Sequence, residues 1–221
     1  MNKRLATIKS LVLPHKVVAD IGTDHALLPI MLLEEGSCEK VYACDVAKGP
    51  LASAQGNIDK AGLKDKIITI LSDGLIQVPL DTQVVVIAGM GGSTACGILE
   101  RSLERLPSFD QLLIQVNTEV PLMRKWLSEH ECLIHDERML YEGHYYTIMD
   151  IRKGIGNKLS EEEINYGPIL LQRRDPIFLE YLQNELTIQL GIQSKLPMHH
   201  PRSEQVRFKI EELKEIIERQ G

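Results

Sequence analysis

Five short apolar runs rich in β-branched residues recur along the first half of the chain: VVADIG at 17–22, KVYACDV at 40–46, KIITILSD at 66–73, VVVIAG at 84–89 and LLIQVN at 112–117. Helix-length segments separate them, with helices expected at roughly 25–35, 48–61, 92–105 and 119–129. Near-continuous hydrophobicity, in place of alternation, marks strands covered on both faces, as in a parallel sheet. Right-handed crossovers then predict an α/β, doubly wound, Rossmann-like sheet. Two further runs, 132–140 and 144–152, flank Glu142 and Gly143 and read as a terminal hairpin, which closes the sheet with an antiparallel edge.

Beyond the break Lys153–Gly156 the pattern becomes helical only, so the expected organisation is a catalytic domain at 1–156 and a small helical domain at 157–221. Ser160 and Glu163 have capping-box spacing. Asp175 and Pro176 form an N-cap followed by a first-turn proline, and Phe178, Leu182, Leu186 and Leu190 follow at fourfold spacing. A third helix is expected after Pro197 and Pro201, with Val206, Ile210, Leu213 and Ile217 on one face. These two amphipathic helices predict an antiparallel, coiled-coil-like hairpin; an oligomerising coiled coil is the alternative.

Composition adds limits. Hydrophobic content of 43% and charged content of 25% are those of an ordinary globular chain. The apolar patch in MNKRLATIKSLVLPHK is too short for a signal peptide or a membrane span, so a cytoplasmic protein without membrane contact is expected. Cys38, Cys44, Cys96 and Cys132 form no CxxC pair and read as reduced core thiols, with neither disulfides nor a metal site. A net charge of −6 gives no global attraction to nucleic acid. The segment 1–16 is locally basic, however, with Lys3, Arg4, Lys9 and Lys16 and no acid; it reads as a nucleic-acid contact or as a solvated helix face.

Ligands of open α/β sheets bind at the carboxyl ends of the strands, so the residues just after each run carry the chemistry. After the first run a dinucleotide fingerprint needs glycine at 22, 24 and 27, and the chain has Gly22, Asp24 and Leu27. A carboxylate at 24 repels a pyrophosphate but suits the ammonium and sulfonium charges of S-adenosyl-L-methionine. His25 lines the same pocket or caps the next helix. Asp45 ends the second run about twenty residues further on, where an acid accepts from both ribose hydroxyls, or else caps a helix. Asp73 can accept the adenine amine while Gly74 admits close backbone approach; turn formation alone is the other reading. The fourth run ends in Ala88, Gly89, Met90, Gly91 and Gly92, an open stretch where a transferred methyl would lie, with Met90 against the cofactor or filling a gap. Gln115 and Asn117 end the fifth run with amides able to face a base edge or serve packing and capping. His199 and His200 beside Pro201 read as a solvated loop, and Trp126 as part of a helix packed on the sheet.

Taken together, ADIGTDHALLPI (19–30), GPLASAQGNIDKAGLKDKI (49–67), DGL (73–75), IAGMGG (87–92), LLIQVN (112–117) and MRKWL (123–127) resemble the bacterial tRNA methyltransferases that modify N1 of adenine 22. The resemblance spans nearly the whole chain. Where the family usually has proline, lysine and glutamate, this chain has Val116, His144 and Thr147. The resemblance implies a class I methyltransferase with S-adenosyl-L-methionine held by Gly22, Asp24, His25, Asp45, Asp73, Gly74, Ala88, Gly89 and Met90. In that setting Asp24 is the candidate electrostatic catalyst, Asn117 a base-orienting group, and Lys3 and Arg4 tRNA contacts. A monomer or weak homodimer is expected. A small-molecule methyltransferase and a non-catalytic RNA-binding module remain as alternatives.

Overall fold

The structure, a computed structural model, describes residues 2–197 and 200–219 and divides into two compact units between Gly167 and Pro168. In the first, seven strands among the described residues form one sheet in the order β3-β2-β1-β4-β5-β7-β6. These are β1 (Val17–Ile21), β2 (Lys40–Asp45), β3 (Ile67–Leu71), β4 (Val84–Gly91), β5 (Gln111–Thr118), β6 (Cys132–Tyr141) and β7 (Tyr145–Ile155). β1 to β5 are parallel, whereas β7 runs antiparallel to β5 and to the edge strand β6. Strand order reverses between β1 and β4, and this switch point opens a crevice at the carboxyl ends of the two strands.

Helices α1 (Lys3–Leu11), α2 (Leu27–Glu34) and α3 (Lys48–Ala61) cover one face; α4 (Gly92–Glu100) and α5 (Val120–Glu129) cover the other. The runs read as strands are buried on both sides because each face has its own core: Val18, Val41, Val84 and Val86 on the α1–α3 side, Ala19, Val85, Ile87 and Ile114 on the other. α3 has the bounds its sequence predicts, since Gly62 closes it in the left-handed conformation. The helix expected to reach residue 105 stops at Glu100, and Leu103–Ser108 forms a 3₁₀ turn containing Pro107, whose missing N–H cannot continue an α-helix. Trp126 packs on the sheet from α5, stacked on His130 at 3.9 Å and bonded to Glu100 at 2.9 Å.

Helix α6 (Glu161–Tyr166) carries the full capping box of Ser160 and Glu163. It belongs with the first unit, where the buried Arg124 of α5 donates to the carbonyls of Ile164 and Asn165 and pairs with Glu137 of β6. All four cysteines are free. Cys38 and Cys44 lie in the core and Cys96 and Cys132 at its margin, with burial pushing the Cys44 thiol up to about 12.

The second unit consists of α7 (Pro168–Arg173), α8 (Pro176–Gln193) and α9 (Ser203–Glu218). Asp175 caps α8 by accepting from Phe178 N at 3.1 Å. Arg174, just before α8, donates to the Ile216 and Ile217 carbonyls at the end of α9, which fixes α8 and α9 as an antiparallel pair. Two details differ from expectation. α9 starts from Arg202 without a side-chain cap, and its buried stripe ends on Ile216, with Ile217 only half-buried at the last turn of the helix. Likewise Leu190 of α8 is exposed, so the buried stripe of that helix fades beyond Leu182. His200 accepts from Arg202 N in the intervening loop, whereas His199 lies outside the described residues. Among the described residues no helix is long and apolar enough to cross a membrane, and no group of three or more His, Cys, Asp or Glu could hold a metal ion.

Candidate functional site

Between the ends of β1 and β4 lies a cavity of about 210 Å³ lined by Arg4, Leu5, Asp20, Gly22, Thr23, Asp24, His25, Leu27, Leu28, Ala88 and Gly89. The loop after β1 builds its floor. Gly22 N and Thr23 N both donate to the Cys44 carbonyl, tying the loop to the end of β2. Gly22, Asp24 and Ala26 then take left-handed φ values of 77°, 50° and 55°. Only the first is a glycine; a left-handed alanine costs of order 1 kcal/mol, and such strain gathers where the backbone itself must face a ligand. A Cβ on Gly22 would lie 3.1 Å from the Met90 methyl, so Met90 closes the floor from β4.

The cavity joins several residues expected from the sequence and separates others. Asp24, His25, Ala88 and Gly89 line it with Gly22. His25 is no helix cap: α2 starts from Ala26, and His25 Nε2 lies 3.5 Å from Asp24 Oδ2. Asp45 and Asp73 stand outside the cavity at the ends of β2 and β3. Asp45 is not the N-cap of α3, a place taken by Ala47; one of its oxygens accepts from Ala47 N at 2.9 Å. Beside it Val46 is 70% exposed, leaving an apolar surface next to an acid, as an adenosine requires. Asp73 is exposed and paired with Arg101 at 2.9 Å through one oxygen. Gly74 has a packing role as well. A Cβ there would come within 2.8 Å of Ile98, so the glycine is required by packing against α4.

Two residues of the site depart from what the sequence suggests: Asp20 is not singled out there as a ligand contact, and Gln115, expected at a base edge or in packing and capping, bonds within the site itself. Asp20 is buried at 5% exposure inside the apolar run of β1, and its carboxyl is pushed up to about 6 by burial, aided by the charge of Asp45 and opposed in part by the Thr23 hydroxyl. A carboxylate in the middle of a buried strand is itself the missed signal, since an unpaired buried acid is costly unless a ligand uses it. Thr23 Oγ1 is buried without a well-formed hydrogen bond. The second is Gln115, 1% exposed, whose Oε1 accepts from Arg4 Nη1 at 2.7 Å and from Gly89 N at 3.1 Å, while its Nε2 donates to Asn117 Oδ1 at 3.1 Å.

Asn117 completes this network by donating to the Gly89 carbonyl at 2.7 Å. Its amide is therefore committed to holding the Gly89 turn, where φ is 85°. Arg4 is no solvated surface cation: its guanidinium lies in the cavity wall beside Gly89 and 5.6 Å from the Tyr146 ring centroid. Lys3 is exposed. Glu142, in the turn between β6 and β7, anchors both residues by accepting from Lys3 N at 2.8 Å and Arg4 N at 3.2 Å.

The donor set fits S-adenosyl-L-methionine. Asp20 and Asp24 give a small cavity negative charge suited to an ammonium and a sulfonium, Thr23 has a hydroxyl to spare, and Asp45 with Val46 suits a ribose and a flat base outside. A pyrophosphate would meet two carboxylates there instead.

Comparison with known proteins agrees with this chemistry. The model of the family described as TrmK, tRNA (adenine(22)-N(1))-methyltransferase, matches residues 18–221. The chain is similar to the tRNA (adenine(22)-N(1))-methyltransferase of Bacillus subtilis (strain 168), at 29% identity over 99% of this chain and 94% of that protein. Among solved structures, Streptococcus pneumoniae Sp1610 in complex with S-adenosyl-L-methionine superposes with a TM-score of 0.89 at 32% identity, covering 98% of this chain and 99% of that one. M. capricolum TrmK in complex with S-adenosyl-homocysteine gives a TM-score of 0.86 at 32% identity, covering 98% and 97%.

Proposed function

The chain belongs to the tRNA (adenine(22)-N(1))-methyltransferase family, and from that premise we infer that the acid-lined cavity between β1 and β4 is where it transfers a methyl group to tRNA. It is an S-adenosyl-L-methionine-dependent enzyme acting on N1 of adenine 22. The observation that carries this reading is the family match over residues 18–221, in a chain whose switch-point cavity holds two carboxylates and no pyrophosphate fingerprint. We place it in the cytoplasm as a monomer or weak homodimer, with the catalytic residues in 1–156 and the helical segment 157–221 as a further tRNA contact.

Bound S-adenosyl-L-methionine supplies an electrophilic methyl on a cationic sulfur. The chain's own residues bind and orient. Asp20, Asp24 and His25 face the amino-acid end, Asp45 accepts from the ribose, and Asp73 takes the adenine amine with the oxygen that Arg101 leaves free. Gly22, Ala88, Gly89 and Met90 form the wall along which the methyl travels, and Gly74 sets the end of β3. Adenine N1 has an in-plane lone pair, so its attack needs alignment more than a strong base. Alignment is the task of the Gln115–Gly89–Asn117 network, in which Asn117 is a positioning residue. N1 methylation makes the base cationic, and the Asp24 carboxylate is the group placed to stabilise that charge. Arg4 and Lys3, pinned by Glu142 at the mouth, receive the tRNA backbone around the base, which must leave its stack to be reached.

Methylation of unmodified tRNA transcripts, with primer extension to map the product, is expected to give a stop at adenine 22. A stop elsewhere would overturn the specificity, and no transfer to any RNA would overturn the reading. In the same assay Lys3→Glu is expected to weaken tRNA binding about five-fold and to reduce its salt dependence, while cofactor affinity stays unchanged. Asp45→Asn keeps the acceptor for Ala47 N but loses the charge, so calorimetry should show cofactor affinity falling roughly ten-fold or more. Unchanged affinity would reduce Asp45 to a turn former.

A further inference from the structure

We propose that the tip of the β6–β7 hairpin, through Tyr141 and its partner Tyr145, stacks a nucleobase of the tRNA strand beside the one being methylated. This rests on the functional reading above and extends it to a surface outside the cavity. The register brings the tip there. β7 pairs with β5 as far as Gln115↔Ile148, and β6 and β7 then continue together through Leu140↔Tyr146 to Tyr141↔Tyr145. Both strands thus overrun the last β5 pair at the carboxyl edge of the sheet, the edge at which Gly89 and Asn117 stand. The tip is tied to the site: Glu142 holds the start of α1, and Tyr146 lies under the Arg4 guanidinium that bonds Gln115.

At this tip Tyr141 is 48% exposed on the edge strand, with its ring centroid 4.9 Å from that of Tyr145 and tilted by 54°. Tyr141 and Tyr145 lie on the α5 side of the hairpin, because Leu140, Tyr146 and Ile148 point into the core under α1. Removing an adenine from a folded RNA arm deprives the next base of its stacking partner. An aromatic ring beside the opening replaces that partner, and stacking on it is worth about 1–3 kcal/mol per base whatever the base. The exposed Lys3, held by the same turn, supplies a cation for the adjoining phosphate. A cross-strand aromatic pair also steadies a hairpin, so the test must separate stacking from packing.

Tyr141→Leu keeps apolar bulk and removes the π face; Tyr141→Phe keeps both. In the full-length enzyme Tyr141→Leu is expected to raise the KM for tRNA about 5- to 150-fold, with kcat within about two-fold, cofactor affinity unchanged and the melting temperature lowered by no more than about 4 °C. Tyr141→Phe should remain within about two-fold of wild type. A wild-type KM in Tyr141→Leu would overturn the proposal, as would an equal defect in Tyr141→Phe or a KM loss accompanied by a melting temperature lowered by more than about 4 °C. Should the wild-type enzyme leave adenine 22 unmodified, the functional reading fails, and the stacking surface is then judged by direct binding of the same transcript to the two variants.

Discussion

Glu137→Ala is expected to destabilise the sheet-bearing unit by about 3–5 kcal/mol, the largest single loss among the substitutions considered. Glu137 has no exposed surface and Arg124 only 2%, and the Arg124 Nε bonds Glu137 Oε1 at 2.8 Å. Removing the acid leaves a buried guanidinium against the neutral carbonyls of Ile164 and Asn165, at 3.3 and 3.1 Å. Neutral acceptors do not offset the desolvation of a charge. Since α6 is held through those carbonyls, protease cleavage near residues 157–166 should accelerate with the loss. The double variant Arg124→Met/Glu137→Leu removes both charges at similar volume and is expected to regain most of the stability. Urea unfolding of the three proteins decides the matter: a loss below about 1 kcal/mol in Glu137→Ala would mean that the pair is hydrated, contrary to its burial.

This pair marks the boundary of what the sequence conveys. The strands were legible because the valine and isoleucine runs that form them are buried on both faces, and α3 because Gly62 sits at its end. That Gly22, Asp24, His25, Ala88 and Gly89 line the switch-point cavity is legible because the residues that follow the strands of an α/β sheet gather at its carboxyl edge. Arg124 and Glu137, by contrast, are thirteen positions apart on a helix and an edge strand, and nothing local tells that their charges face inward. Arg4 is similar. In a basic segment it reads as a tRNA contact or as part of a solvated face, and only the pairing of β5 with β7 and the Glu142 anchor put its guanidinium beside Gly89. The amide of Asn117 is legible as near the site, but its direction depends on Gln115, whose bonds to Arg4 and Gly89 are tertiary. Asp20 was obscured for the opposite reason: the strong hydrophobicity of its neighbours made the run a strand and drew attention past the one charge within it.

Asp20→Asn is expected to stabilise the ligand-free protein and weaken the cofactor site at once. Burial holds the Asp20 carboxyl at about 6 against an ordinary 3.8, so the folded state keeps its proton more tightly than the unfolded chain does. The contribution to stability is fully present below about 4 and is lost as pH rises through about 6. Above that, ionised Asp20 costs about 3 kcal/mol relative to an unshifted acid, at about 1.4 kcal/mol per pH unit. A neutral asparagine escapes this cost, and the melting temperature at pH 8 should rise by several degrees, on the order of 5–10 °C, with about half that gain at pH 5 and little change below about pH 4. The cationic cofactor reverses the balance, since it supplies the partner that the buried carboxylate lacks. Cofactor affinity of the wild type should therefore fall as pH drops through about 6, whereas Asp20→Asn should bind at least about ten-fold more weakly at pH 8 and lose that pH dependence. Calorimetric titrations at pH 5.5 and 8, with melting curves of both proteins, measure the two halves independently. A lower melting temperature for Asp20→Asn at pH 8 would show that the carboxylate already has a compensating partner in the folded chain. Undiminished affinity would show that it does not face the ligand, and Asp24 would then carry the charge of the cavity alone.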